Sequence, residues 1–89
     1  MQTPKKIDWK NILSRVVNEL PISQEITEND LIFRFQYICI DEITHVGYLY
    51  IWEKVSLKAI HISRIRVPQG MEEIRQNIPE ILDMVSWYS

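Results

Sequence analysis

Two consecutive segments in the middle of the chain constrain its fold most, because both are dense in aromatic and β-branched residues. They are residues 31–40, Leu-Ile-Phe-Arg-Phe-Gln-Tyr-Ile-Cys-Ile, and residues 46–52, Val-Gly-Tyr-Leu-Tyr-Ile-Trp. Such side chains favour the pleated, half-buried surface of a β-sheet. Neither segment has one purely polar face, so the sheet needs cover on both sides, from helices or from a partner.

The size and composition predict one small globular domain over residues 1–89, with residues 1–6 flexible. A net charge of −2 argues against attraction of the whole chain to nucleic acid or anionic lipid. The single cysteine, Cys39, excludes an internal disulfide and a cysteine zinc cluster. Neither a secretion signal nor an apolar run of about 20 residues is present, so we expect a cytoplasmic protein without a membrane partner.

The remaining pattern predicts an α+β fold. Apolar residues recur at helical spacing from Trp9 to Leu20, with Asp8 as N-cap and Pro21 as the stop. After a polar connector at 21–29, strands are predicted at 30–40, 45–53 and 57–67. Two short helices, at 71–78 and 79–88, complete the order α-β-β-β-α-α. The prediction is a three-stranded antiparallel sheet with one N-terminal helix and one or two C-terminal helices.

The predicted register assigns the two faces of this sheet. If the loop after Ile40 has an even number of residues, odd-numbered residues of the first strand share a face with even-numbered residues of the second. We expect helices to cover this face, which comprises Phe33, Phe35, Tyr37, Val46, Tyr48, Tyr50, Trp52, Ala59 and His61. The other face has an aliphatic centre rimmed by arginine, which is typical of a protein interface. Its predicted contact residues are Arg34, Leu49, Ile51, Ile60, Ile62, Arg64 and Arg66. An odd loop or a β-bulge would scramble the assignment, and the alternative to an interface is that a C-terminal helix covers this second face.

The titratable residues do not predict catalysis. Asp41, Glu42 and His45 cluster at a predicted hairpin tip, where a solvated turn is the common role. Cys39 would act as a nucleophile only if it met His45 and Asp41 in one pocket. Two histidines far apart in sequence do not make a metal site, and no glycine-rich phosphate loop or short catalytic motif is present. We therefore predict no enzyme, no metal and no cofactor.

The sequence thus predicts a small non-catalytic protein-interaction module, such as an adaptor, an inhibitor or a regulatory subunit. It would form a homodimer through the arginine-rimmed sheet face. The alternative is a nucleic-acid-binding module that uses Lys58, Arg64 and Arg66. Sheet-based readers stack bases on exposed aromatic rings, so exposure of Tyr48 and Tyr50 would favour this alternative.

Overall fold

A computed structural model describes residues 7–21, 23–71 and 78–85. Within these ranges the chain forms one α-helix and one five-stranded sheet with strand order β1-β2-β3-β4-β5. The first four strands pair antiparallel, whereas β5 pairs parallel to β4. The elements are α1 (Trp9–Glu19), β1 (Glu25–Glu28), β2 (Leu31–Asp41), β3 (Val46–Glu53), β4 (Lys58–Arg66) and β5 (Asp83–Met84).

Helix α1 has the limits that its sequence predicts. The side chain of Asp8 accepts a hydrogen bond from the Asn11 N–H at 3.2 Å and caps the N-terminus. Leu20 adopts the left-handed conformation and donates its N–H to Val16 O, and Pro21 follows. The buried stripe of the helix begins at Trp9, whose ring meets Phe33 edge to face at 5.6 Å. The stripe places α1 against one face of the sheet.

The predicted fold class is wrong at both ends of the sheet. The connector at 21–29 contains an additional strand, β1, which pairs with the start of β2. Asn29 and Asp30, between these strands, have φ values of 51° and 65°. Positive φ at both central residues is the geometry of a type I′ two-residue hairpin, for which Asn and Asp are favoured. The Asn-Asp pair in the sequence therefore indicates a hairpin turn and, with it, strand β1.

The C-terminal helices are also not observed where the structure describes the chain. In the segment predicted as a helix at 79–88, Asp83 and Val85 donate their N–H groups to Leu57 O and Ala59 O, both at 2.9 Å. A ten-residue helix is marginal by itself, and the outer edge of β4 offers unsatisfied carbonyls instead. Residues 1–6, most of the helix predicted at 71–78, and residues 86–88 lie outside the described residues.

The predicted face assignment is wrong because of a β-bulge in β2. Cys39 pairs with Gly47 and Asp41 with Val46, which leaves Ile40 as an extra residue. The loop between β2 and β3 has an even number of residues, as predicted. The bulge nevertheless shifts the pairing by one residue, so odd-numbered residues of β2 before the bulge share a face with odd-numbered residues of β3 rather than even-numbered ones. Phe35 consequently pairs with Ile51. The predicted alignment of β3 with β4 is confirmed by the pairs Tyr48–Ser63, Tyr50–His61 and Trp52–Ala59.

A second bulge lies in β4. Gly47 pairs with Ile65 and Tyr48 with Ser63, so Arg64 is the extra residue, and its φ is 55°. Beyond this bulge Ile65 faces the α1 side and packs against the core. This core lies beneath α1 and the segment after β4, and its members that are at most 1% exposed are Ile12, Val16, Phe33, Phe35, Tyr37, Leu49, Ile51, Ile60 and Val67.

Candidate functional site

The sheet face opposite α1 is the candidate binding surface, and we call it the aromatic face. Strand alternation and register give its members. At one end of it Trp52 and Ala59 are buried, whereas Tyr48, Tyr50 and His61 are only half-buried. The aromatic face comprises Ile32, Arg34, Gln36, Ile38, Tyr48, Tyr50, Trp52, Ala59, His61 and Ser63.

Two tyrosine rings and one imidazole form the centre of this face. His61 lies 4.7 Å from the Tyr50 ring, stacked at 30°, and 5.1 Å from the Tyr48 ring. The Nε2 atom of His61 is buried and has no hydrogen-bond partner in the described part of the chain. Ring pairs at these distances attract each other beyond simple burial. The three rings thus contact one another within a single chain.

The seven predicted interface residues are distributed over three places. Leu49, Ile51 and Ile60 are 0% exposed in the core on the α1 side, so the expectation that they lie on an exposed face is wrong. The Ile40 bulge is the physical reason, since it turns this side of β3 and β4 toward α1. Ile62 is half-buried and packs against the same core.

The three predicted arginines remain accessible but do not lie together. Arg34 is on the aromatic face, and its Nε donates to the Glu25 carboxylate at 3.0 Å. Arg64 is exposed at the β4 bulge, and Arg66 is exposed opposite Val46. Neither Arg64 nor Arg66 has an ion pair within the described ranges. The positive charge of Arg34 is therefore neutralised locally, whereas those of Arg64 and Arg66 have no acidic partner among the described residues.

A groove adjoins the aromatic face at its bulged end. It has a volume of about 460 Å³ and predominantly apolar walls. The two bulges form it, because they take Ile40 and Arg64 out of the ladder on either side of the start of β3. Ile40 is 62% exposed there. We call this the bulge groove, and its lining residues are Ile40, Asp41, Thr44, Val46, Gly47, Tyr48 and Arg64.

The hairpin tip between β2 and β3 projects beside the bulge groove. Asp41 Oδ1 accepts hydrogen bonds from the N–H groups of Ile43 at 2.9 Å and Thr44 at 3.3 Å. These bonds favour the carboxylate and lower the pKa of Asp41. At the base of the tip Val67 N–H donates to His45 O at 2.7 Å. The tip is thus held firmly while the Ile43 side chain is 95% exposed.

The residues considered for catalysis do not converge. The Cys39 thiol contacts the Asp41 carbonyl oxygen at 3.5 Å, and the Asp41 carboxylate is engaged by its own turn. His45 Nδ1 lies 3.3 Å from Val67 O and lines a second groove, of about 250 Å³, on the other side of the tip. Neither groove is lined by all three residues. The geometry that the enzymatic alternative required is not formed by these residues.

Within the described ranges no three His, Cys, Asp or Glu side chains are placed to hold a metal ion. The helix found there is too short and too polar to cross a membrane. Comparisons with protein-family models, with curated proteins and with solved structures give no match. The geometry of the aromatic face and of the bulge groove is therefore what bears on function.

Sequence reasoning missed the exposed apolar residues at this end of the sheet. Ile43 stands between Glu42 and Thr44 in a segment that was interpreted as a solvated turn. A large aliphatic residue is atypical of a turn, where Gly, Pro, Asn, Asp and Ser dominate. That departure was a readable signal for a contact. The bulge at Ile40 had no comparable signal, because isoleucine fits a regular strand equally well.

Proposed function

We propose that this chain is a small non-catalytic protein-interaction module that self-associates through the aromatic face and the adjoining bulge groove. The observation that carries the proposal is the half-buried cluster of Tyr48, His61 and Tyr50 on the face opposite α1. Tyrosine and arginine are enriched at protein interfaces and among the residues that dominate binding energy. This cluster is also preformed, so binding would cost little side-chain ordering.

The charge distribution supports a protein partner. Arg34 is paired with Glu25, so this part of the aromatic face is nearly neutral. Ile38 lies opposite Tyr48, Ile32 lies beyond the Arg34–Trp52 pair at the other end of the face, and both are half-buried. A mixed aromatic and aliphatic surface with a polar margin resembles the core and rim of an interface. The proposal includes a cytoplasmic setting, in which the thiol of Cys39 would stay reduced.

The test is the mass of the protein in solution by sedimentation over a roughly hundredfold range of concentration. We expect a dimer that dissociates on dilution. Replacing Tyr50 by alanine should raise the dissociation constant about tenfold, as truncation of a buried interface tyrosine does. Val17→Ser is the matched control, since Val17 is 42% exposed on α1, on the other side of the sheet. A monomer at the highest concentration would contradict the proposal.

A second candidate function follows from the corrected register. Tyr48 and Tyr50 lie on the face that α1 leaves uncovered, which is the condition that favoured nucleic-acid binding. His61 already occupies part of the stacking surface of both rings, and this makes the candidate the weaker one. Titration of a labelled single-stranded oligonucleotide at low salt tests it. Binding that weakens steeply with added salt would support it, and absence of binding would remove it.

A further inference from the structure

Resting on the proposed function, we infer that the partner is a second copy of this chain, which inserts its own β2–β3 hairpin tip into the bulge groove beside Arg64. The two copies are related by a two-fold axis, so each tip enters the groove of the other copy. The inserted side chain is Ile43, and Glu42 meets the guanidinium of Arg64. The inference stands on shape, charge and symmetry.

The shape argument concerns an apolar projection next to an apolar cavity. Ile43 is 95% exposed, and the hydrogen bonds of Asp41 hold the turn that carries it. The bulge groove, at about 460 Å³, has room for an aliphatic side chain among Ile40, Val46 and Tyr48. Transfer of such an aliphatic side chain from water into an apolar groove is favourable through the hydrophobic effect. Insertion into the groove would bury Ile43 and the exposed part of Ile40 together.

The charge argument selects a second copy over other partners. The tip is acidic, because Asp41 and Glu42 are exposed there. The bulge groove has Arg64 on its margin as well as Asp41, whose carboxylate is engaged by its own turn, and Arg66 is exposed at the neighbouring strand end; neither arginine has an ion pair within the described ranges. A partner with only acidic groups would be repelled by the tip, and a partner with only basic groups would be repelled by the two arginines. A copy of the same surface presents acid to base in both directions.

The symmetry argument concerns whether two copies can form a closed dimer. Thr44 of the tip also lines the bulge groove, so projection and cavity are adjacent on the molecule. Adjacent complementary features form a self-complementary patch, and two such patches close into a dimer around one axis. The bulge at Arg64 disrupts the ladder of β4 and disfavours edge-to-edge strand pairing as the mode of association. Side chains, rather than backbone pairing, therefore carry the contact.

The experiment is a charge exchange, measured by sedimentation of the full chain. A two-fold homodimer would contain two contacts between Glu42 and Arg64. Glu42→Arg alone turns both into arginine–arginine contacts, and Arg64→Glu alone turns both into glutamate–glutamate contacts. We expect each variant to dissociate at concentrations about tenfold higher than the wild type. In an equimolar mixture both contacts become opposite-charge pairs, so a heterodimer should form with wild-type affinity. Lys54→Glu is the control, because Lys54 is exposed in the turn at the other end of β3.

Both positions are exposed, and circular dichroism of each variant verifies that it folds. Arg64→Gln removes the charge with minimal change of shape and should give an intermediate loss of affinity. Wild-type affinity of either single charge-reversal variant, or a mixture that fails to recover it, would overturn the inference. If the wild type dimerises and responds to Tyr50→Ala alone, only this inference fails. A monomeric wild type would overturn the proposed function as well.

Discussion

The two long hairpins of the sheet end in turns that share one local design. The turn at 41–45 begins with Asp41 and the turn at 53–57 with Glu53, and each carboxylate accepts N–H groups two and three residues later. Each turn ends at a residue with positive φ, His45 at 56° and Leu57 at 62°. The side chain at the third position is β-branched and exposed in both turns, by 95% at Ile43 and by 86% at Val55.

The turns differ in what surrounds them. Glu53 is 3% exposed, whereas Asp41 is exposed. The turn at 41–45 lies beside the two bulges and the groove that they form. The turn at 53–57 follows a part of the β3–β4 ladder without a bulge. Turn chemistry therefore specifies the connection in both hairpins, and the bulges place a groove beside the turn at 41–45.

The largest expected effect tests the packing that supports the bulged end. An alanine Cβ at Gly47, the second residue of β3, would collide with the carbonyl oxygen of Ile38 on the neighbouring strand. The backbone must shift, so we expect Gly47→Ala to lower the free energy of unfolding by about 3 kcal/mol. Urea unfolding measures the change.

Gly70→Ala is the control for this prediction. Gly70 has a φ of 89°, and an added Cβ there meets no atom within 4 Å. Its substitution should cost only about 1 kcal/mol, through backbone strain. Equal losses at the two glycines would show that the strands approach less closely at Gly47 than the structure indicates.

The next effect contrasts the two carboxylates. Glu53→Ala removes two hydrogen bonds from a buried carboxylate, to Val55 N at 2.7 Å and Ser56 N at 3.0 Å. Hydrogen bonds to charged groups are the stronger class, so we expect a loss of about 2 kcal/mol. Asp41→Ala should cost less, because its carboxylate is already in water. Denaturation of both variants gives the comparison, and a larger loss at Asp41 would contradict it.

These turns also show how far the sequence could predict the structure. Helix α1 and strands β2 to β4 follow from local patterns, namely the Asp8 cap, the helical spacing from Trp9, and the runs of β-branched and aromatic residues. Strand β1 had a signal in Asn29 and Asp30. Strand β5 had none, because its hydrogen bonds depend on the edge of β4. The residue pattern of a local segment does not show which distant strand that segment will pair with.

The candidate site depended on register, and register depended on one residue. With Ile40 in the ladder, Leu49 and Ile51 would face away from Phe35, and the predicted interface would be intact. With Ile40 bulged, the same residues are core. A bulge arises from the balance of twist and packing across several strands. That balance is not encoded in the local pattern around Ile40.

A smaller effect appears in the pH dependence of stability. Burial alone would raise the pKa of Glu53, but the hydrogen bonds from Val55 and Ser56 outweigh it, and the net pKa is lowered from 4.5. Because the pKa of Glu53 is lower in the folded chain than its ordinary value of 4.5, the stabilising contribution of Glu53 is fully present above pH 4.5. This contribution is lost as the pH falls through the folded pKa. Glu53→Gln should therefore flatten the acid limb of the thermal midpoint between about pH 5 and pH 3.

Asp41→Asn is the matched variant for this pH prediction. Hydrogen bonds from the Ile43 and Thr44 N–H groups and from the Thr44 side chain lower the pKa of Asp41 from 3.8, so its contribution begins to be lost only below pH 3.8, whereas that of Glu53 begins to be lost below pH 4.5. The Asp41 variant should change only the most acidic part of the profile. An acid limb that is unchanged in Glu53→Gln would show that the pKa of Glu53 is the same in the folded and unfolded states.

The smallest effect on stability is the most informative about function, because it compares the two tips directly. Ile43→Ser and Val55→Ser replace side chains that are 95% and 86% exposed, so each should change the free energy of unfolding by less than about 0.5 kcal/mol. Only Ile43→Ser should weaken self-association, by about tenfold, because only this tip would bury its side chain in a partner. Since the two turns share their backbone design, a difference in dimer affinity can come only from their surroundings. Equal affinities would mean that the bulge groove binds no hairpin tip.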